Sequence, residues 1–311
     1  NWVFRTMTVC LQDLVREGLD RPVPKEVREF ANQLASEGGS SVLAVLFYGS
    51  CLRNENTEGV LDFYILVENY NDYYKNWVSA SANKLLPPTV IYRHGSNTRA
   101  KIAIVSANVF AKRMCPDSHD TSMWARFCQP SALLYCRDKP ANLIVVNNVA
   151  DAVATGAVWA DRLAPKNYNK VDFWTALFKN TYGAELRVEE GHNRGQTIYQ
   201  QAQNYFDMML TPALAYAANK QGQNGWPDGL THKSKPHYLR KWYWKSLCGK
   251  MLNVVRLFKA AFTFDQRVEY IQWKVERHTG EPLKLTEFQK RHPIISAPGV
   301  LWRLWIKGLI R

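Results

Sequence analysis

Apolar residues run almost unbroken through two short stretches, Leu43-Ala44-Val45-Leu46-Phe47-Tyr48 and Leu61-Asp62-Phe63-Tyr64-Ile65-Leu66-Val67. Their length and their branched and aromatic content predict two strands. Gly49-Ser50 follows the first as a tight turn, and a polar loop leads to the second. Upstream, residues 8–19 and 25–37 carry apolar positions at helical spacing. In the second of these Val27, Phe30, Ala31 and Leu34 recur on one face, with Pro24 near the start. Glu37-Gly38-Gly39-Ser40-Ser41 breaks that helix ahead of the first strand.

Beyond Glu68 the polar segment Asn69 to Asn83 predicts one helix, with Tyr73, Trp77 and Ala80 at a 3–4 spacing and Pro87-Pro88 as its stop. Strands are predicted at Thr89–Tyr92, Lys101–Val105 and Ala132–Cys136, with helices at Val109–Met114 and Ser122–Phe127 between the last two. The result is a mixed sheet with flanking helices over residues 1–137. Residues 138–230 lose strand alternation and read as a helical domain, with helices over Val171–Glu190 and Thr197–Met209. Gln221–Gly229 has the Gly, Asn and Pro content of a linker. Residues 231–311 form a basic helical C-terminal region. There, Tyr238–Ala261 places Leu247, Met251, Val254, Val255 and Phe258 on one apolar face, and further helices are predicted at Gln266–Arg277 and Val300–Ile310. The fold class is therefore mixed α/β, of the α+β kind.

Composition refines this picture in one respect. A content of 46% hydrophobic and 22% charged residues is ordinary for a chain that buries a core. No run reaches the roughly 18 apolar residues that crossing a bilayer takes, so no spanning segment is expected, and none reads as a secretory signal. The six cysteines show no CxxC pair, which points away from zinc and towards reduced core thiols in a reducing compartment. The informative number is the net charge of +13. From Thr231 to Arg311, 17 Lys or Arg stand against 5 Asp or Glu, an excess of 12. Such asymmetry implies a polyanionic partner: nucleic acid, an acidic membrane surface or a phosphorylated substrate.

The turn between the first two strands carries the candidate chemistry. Gly49 lets backbone approach a phosphate without a Cβ clash, and the Ser50 hydroxyl and turn amides can donate to phosphate oxygens. Asp62, on the adjacent strand, can bind Mg2+, which bridges triphosphate oxygens. This is the layout of a nucleotidyltransferase; a hairpin in which Asp62 merely caps a strand is the plain alternative. Nucleotidyltransferases of the polymerase-β-like superfamily usually carry a second acid two residues on, where period-two spacing puts both on one face. That position is Tyr64. Glu68 has the right parity but lies about 20 Å along the strand.

The order of pieces resembles the mitochondrial-type phosphatidate cytidylyltransferases, a family of CDP-diacylglycerol synthases within the polymerase-β-like nucleotidyltransferase superfamily. The matching pieces are Phe47-Tyr48-Gly49-Ser50, Leu61 to Glu68, the segment around Trp77, Lys101-Ile102-Ala103-Ile104-Val105-Ser106, Trp124 to Pro130, and Tyr182-Gly183-Ala184-Glu185-Leu186-Arg187. They cover roughly residues 43–190. That family also carries a single Asp followed by Phe in its second strand; its Tyr-x-Gly-Asp-x-Arg motif is kept loosely, with Glu185 in place of Asp and the Gly shifted. The resemblance implies a nucleotidyltransferase domain followed by a helical, winged-helix-like domain. It also implies a reaction between CTP and phosphatidic acid that yields CDP-diacylglycerol and pyrophosphate, with Mg2+ as cofactor. On that reading Asp62 and Glu185 hold the metal, Lys101 neutralises a phosphate, and Gly49, Ser50, Arg126 and Arg187 contact the nucleotide. Each has a plainer alternative: a solvated strand-start lysine, a structural ion pair at Arg126, a buried Glu185–Arg187 pair.

The basic end bears on the acceptor. Between Gly229 and Phe264 there is no acid, and the cations Lys233, Lys235, Arg240, Lys241, Lys245, Lys250, Arg256 and Lys259 are mixed with Trp242, Tyr243 and Trp244. This suits nucleic-acid stacking or a lipid headgroup interface. In the last segment Arg303, Lys307 and Arg311 form a basic stripe beside Trp302, Leu304 and Trp305, as in an interfacial helix. A peripheral enzyme on an anionic membrane is expected, on the cytoplasmic side of a bacterial inner membrane or the matrix side of the mitochondrial one. The rivals are a nucleotidyltransferase with an RNA or small-metabolite acceptor, and a non-catalytic adaptor of the same fold.

Overall fold

The five strand-like stretches pair into one mixed sheet: β1 Val42–Tyr48, β2 Val60–Val67, β3 Thr89–His94, β4 Arg99–Ser106 and β5 Ser131–Cys136, in the order β3-β4-β2-β1-β5. The computed structural model describes residues 10–263 apart from 57, 95–98, 166–168, 184–190, 224 and 227–234, together with Thr286 and Gly299. β2 and β4 run parallel, and the other neighbouring pairs are antiparallel. β1 is buried along its whole length. Both faces of the sheet are covered, which is why its sequence is continuously apolar rather than alternating. Leu46, Tyr48, Tyr64, Leu66, Ala103 and Val105 lie in the larger core cluster on one face, and Val45, Phe47, Phe63, Ile65, Ile102 and Ile104 in the smaller cluster on the other.

The helices are α1 Leu11–Leu19, α2 Lys25–Gly38, α3 Ser50–Arg53, α4 Tyr70–Tyr73, α5 Trp77–Leu85, α6 Ala107–Arg113, α7 Thr121–Phe127, α8 Lys139–Leu163, α9 Lys170–Gly183, α10 Gly191–Gln201, α11 Gln203–Asn219 and α12 Lys235–Thr263. On the smaller-cluster side lie Val27, Ala31 and Leu34 of α2 with Ala80 of α5. On the other side, α8 carries the larger cluster from the sheet into the helical half, through Val145, Val149, Val153 and Trp159 to Trp174, Phe178 and Phe206. Asp138 caps α8, its carboxylate accepting from the Ala141 amide at 2.8 Å, with Pro140 in the first turn.

Several expectations are corrected. The helix expected over Asn69 to Asn83 is two helices, because Asn69 and Asn76 each turn a side chain onto the following backbone, accepting from the Asp72 and Val78 amides at 3.0 and 2.8 Å. The one expected over Thr197–Met209 breaks at Ala202, whose backbone leaves the helical region. The break lets the buried Tyr199 and Phe206 rings stack 6.2 Å apart, while the Tyr199 hydroxyl donates to Asp207 at 2.9 Å. Within Gln221–Gly229, residues 221–223 are exposed and Trp226 is buried, its ring 6.4 Å from Tyr216.

α8 is long and apolar enough to cross a bilayer, against the expectation that no segment is, but 83% of its apolar stretch is buried inside the protein. It is the core helix of the fold. The helices expected at Gln266–Arg277 and Val300–Ile310, and the end of the one expected over Val171–Glu190, lie outside the described residues.

Candidate functional site

Gly49 leaves β1 with φ 95° and ψ −164°, a backbone conformation that glycine alone adopts without strain. A Cβ there would sit 2.6 Å from Asp62 Oδ2 and 3.3 Å from Asp62 Cβ and Cγ. The turn backbone therefore lies directly against the carboxylate. Asp62 is the register partner of Tyr48 on one side and of Lys101 on the other, and the row continues to Ser131 on β5 and Tyr92 on β3. Residues in register share a face of the sheet, so Asp62 and Lys101 project together on the side that α7 covers. Gly49, Ser50, Asp62 and Lys101 are each partly exposed, unlike the buried residues that follow them along β2 and β4.

The position of the expected second acid is part of the core. Tyr64 is 3% exposed and packs 5.4 Å from Tyr48, 5.1 Å from Phe127 and 6.3 Å from Phe110. An aromatic plug here supports the floor of the site and leaves no room for a charged ligand. Glu68 is engaged at the far end of β2, accepting from Arg137 at 2.7 Å. Glu185 and Arg187 lie outside the described residues. Arg126 is partly exposed at the end of α7, beside Phe127, and donates back to the Ser122 carbonyl.

Among the described residues no three His, Cys, Asp or Glu side chains cluster as a metal site. The arrangement still fits Mg2+, which binds through one or two carboxylates together with substrate phosphates and water. Asp62 is a partly exposed carboxylate, and the absent Cβ of Gly49 lets the turn backbone lie against it.

Three polar residues that sequence reading did not single out brace the turn. Arg53, at the end of α3, donates through its NH1 nitrogen to Gln129 Oε1 at 3.1 Å and through Nε to Gln201 Oε1 at 3.3 Å. Gln129 is buried and also donates to the Ala125 carbonyl at 2.6 Å. The Gly49-Ser50 turn is thus tied to the end of α7 and to α10. The available signal was modest: a cation one turn after Gly49-Ser50, and a glutamine ahead of Pro130 where the chain is otherwise apolar.

α7 is held from behind by the basic helix. Asp120 caps it, accepting from the Ser122 amide at 3.0 Å, and is only 1% exposed. Burial would raise its pKa, but the Arg256 guanidinium bonded to it outweighs that and brings the carboxyl down to about 2. Arg256 also donates to the Pro87 carbonyl, and Lys259 donates to the Leu86 carbonyl at 2.8 Å and to Thr89 Oγ1 at 2.7 Å. Lys245 is 3% exposed, with its ammonium 5.4 Å from the Trp159 ring centre; burial, with Lys241 nearby, pushes its pKa down to about 8. The aromatic side of α12 that packs inward is Tyr238 and Trp242. Of the expected apolar face, Leu247, Met251 and Val255 are exposed, and the side chains of Val254 and Phe258 lie outside the described residues.

No family model matches the chain, and no curated protein matches it. It is similar to a solved nucleotidyltransferase-like protein from Exiguobacterium sibiricum 255-15, at 9% identity over 92% of this chain and 93% of that one, with a TM-score of 0.28.

Proposed function

We propose that the chain is a nucleotidyltransferase whose triphosphate lies over the Gly49-Ser50 turn, beside Asp62. The observation that carries this reading is the contact of a left-handed glycine with the carboxylate at the end of a strand. A hairpin whose Asp only capped a strand would not need its turn backbone pressed against the acid. Gly49 opens the approach for phosphate oxygens, and the Ser50 hydroxyl donates to them. Lys101, in register with Asp62, offsets phosphate charge as a point cation. Mg2+ held by Asp62 and the phosphates would stabilise the charge that builds on the leaving pyrophosphate.

The finer reading takes CTP as donor and phosphatidic acid as acceptor. A phosphate-monoester oxygen forms the new bond to the α-phosphorus, the bond from that phosphorus to the β-bridging oxygen breaks, and pyrophosphate leaves with the electron pair. The acceptor is already anionic near neutral pH, so the step needs no strong general base. Purified full-length protein with Mg2+, phosphatidic-acid vesicles and each of the four triphosphates tests it. Pyrophosphate release that requires both CTP and phosphatidic acid is the expected result. Turnover that depends instead on RNA overturns the lipid acceptor but not the transferase, and no turnover with any acceptor overturns both.

A further inference from the structure

The basic helix α12 is turned inside out. Its buried side carries cations: Lys245 against Ser118 and Trp159, Arg256 against Asp120 and Lys259 against the α5–β3 connection. Its outward side carries a stripe of apolar residues, Tyr243 65%, Trp244 59%, Leu247 41%, Met251 61% and Val255 47% exposed. At 100° per residue these fall within one half of the helix, and the exposed Arg240 and Lys250 lie among them. From Leu239 to Val255 the stripe is about 24 Å long. An exposed patch of this kind on a folded chain marks a contact surface.

We infer that this outward stripe of α12 docks on an anionic lipid bilayer, with its apolar side chains at the acyl boundary and Arg240 and Lys250 at the headgroups. The chemistry selects this occupant. RNA is bound by cations along a backbone groove and by aromatic stacking, but three of the helix's cations are committed to the protein interior and three of the five stripe residues are aliphatic. A second copy of the chain docking the same face would set Arg240 and Lys250 among their own counterparts. Tyr and Trp favour the membrane interface, and a basic residue near an anionic surface adds attraction. The inference extends the lipid-acceptor reading above, yet it is tested without nucleotide, so either can fail alone.

The test is flotation of the full chain with vesicles of phosphatidylcholine alone and of phosphatidylcholine mixed with phosphatidylglycerol, which is anionic but is not the proposed acceptor. Wild-type protein is expected to float with the mixed vesicles. The triple variant Trp244→Ser, Leu247→Ser, Met251→Ser should lose at least about tenfold in partitioning, as removal of three inserted apolar side chains requires, with unchanged circular dichroism. If that variant fails to fold, the double reversal Arg240→Glu, Lys250→Glu at exposed positions supplies the same comparison. Flotation equal to wild type overturns the inference. So does protein that binds single-stranded RNA but neither vesicle, or stripe variants that only convert a dimer to a monomer.

Discussion

Gly49 shows how one residue type can be demanded twice. Its φ of 95° excludes side-chain-bearing residues on conformational grounds, and the Asp62 carboxylate excludes them on steric grounds. Gly49→Ala is therefore expected to cost about 1–3 kcal/mol of stability and to displace Asp62, with triphosphate turnover falling at least about 100-fold. Asp62→Asn keeps the shape and removes the charge; turnover should fall by more than the roughly 10–100-fold lost when an outer-shell partner of a metal site is removed, with the melting temperature little changed. Comparing the two variants by turnover and thermal melting separates strain from lost chemistry. Gly49, Ser50 and Asp62 were legible because a strand, a turn and a strand are close in sequence. Arg53 was not, since its partners Gln129 and Gln201 lie 76 and 148 residues away. Tyr64 was legible as a missing acid, but its place in an aromatic cluster with Phe110 and Phe127 required the fold.

Among the elements, α7 and α12 are joined most strongly by one buried ion pair. Removing one partner leaves a buried charge unpaired, so Asp120→Asn or Arg256→Met should destabilise by about 3–5 kcal/mol, read by chemical denaturation. The sign of the pH dependence follows from the lowered carboxyl pKa. Between the ordinary value of 3.8 and the folded value of about 2 the unfolded chain binds more protons. The stabilisation is complete above about pH 4 and is lost as pH falls towards 2, amounting to about 2 kcal/mol. Asp120→Asn should flatten that stretch of the stability–pH curve. Helical spacing correctly marked α12 as a helix with distinct faces. Which face meets the core was decided by the acceptors opposite it, the Ser118, Leu86 and Pro87 carbonyls and Asp120, none of which lies near α12 in the sequence.

For the whole molecule, the larger core cluster joins the sheet to the helical half through α8, from Leu46 and Tyr64 to Trp174, Phe206 and Trp242. Elements that share one core lose it together, so unfolding followed by tryptophan fluorescence and by far-ultraviolet circular dichroism should give coincident transitions. Two separated midpoints would show that the regions on either side of residue 138 unfold independently. Ala154→Asp, at a fully buried position of α8, should remove the folded state under conditions where wild type is stable.

Local pattern was enough for the five strands, the Gly49-Ser50 turn, the place of Asp62 on the adjacent strand and the concentration of positive charge at the C-terminal end, because each depends on residues a few positions apart or on composition. Only the tertiary structure decided that the carboxylate lies against the turn, that Arg53 braces it, that an apolar 25-residue helix belongs inside the protein, and that the basic helix points its cations inward. Those outcomes depend on which distant surfaces meet, and burial changes what a side chain does: the same lysine that suits a phosphate on a surface becomes, at Lys245, a packed cation over a tryptophan.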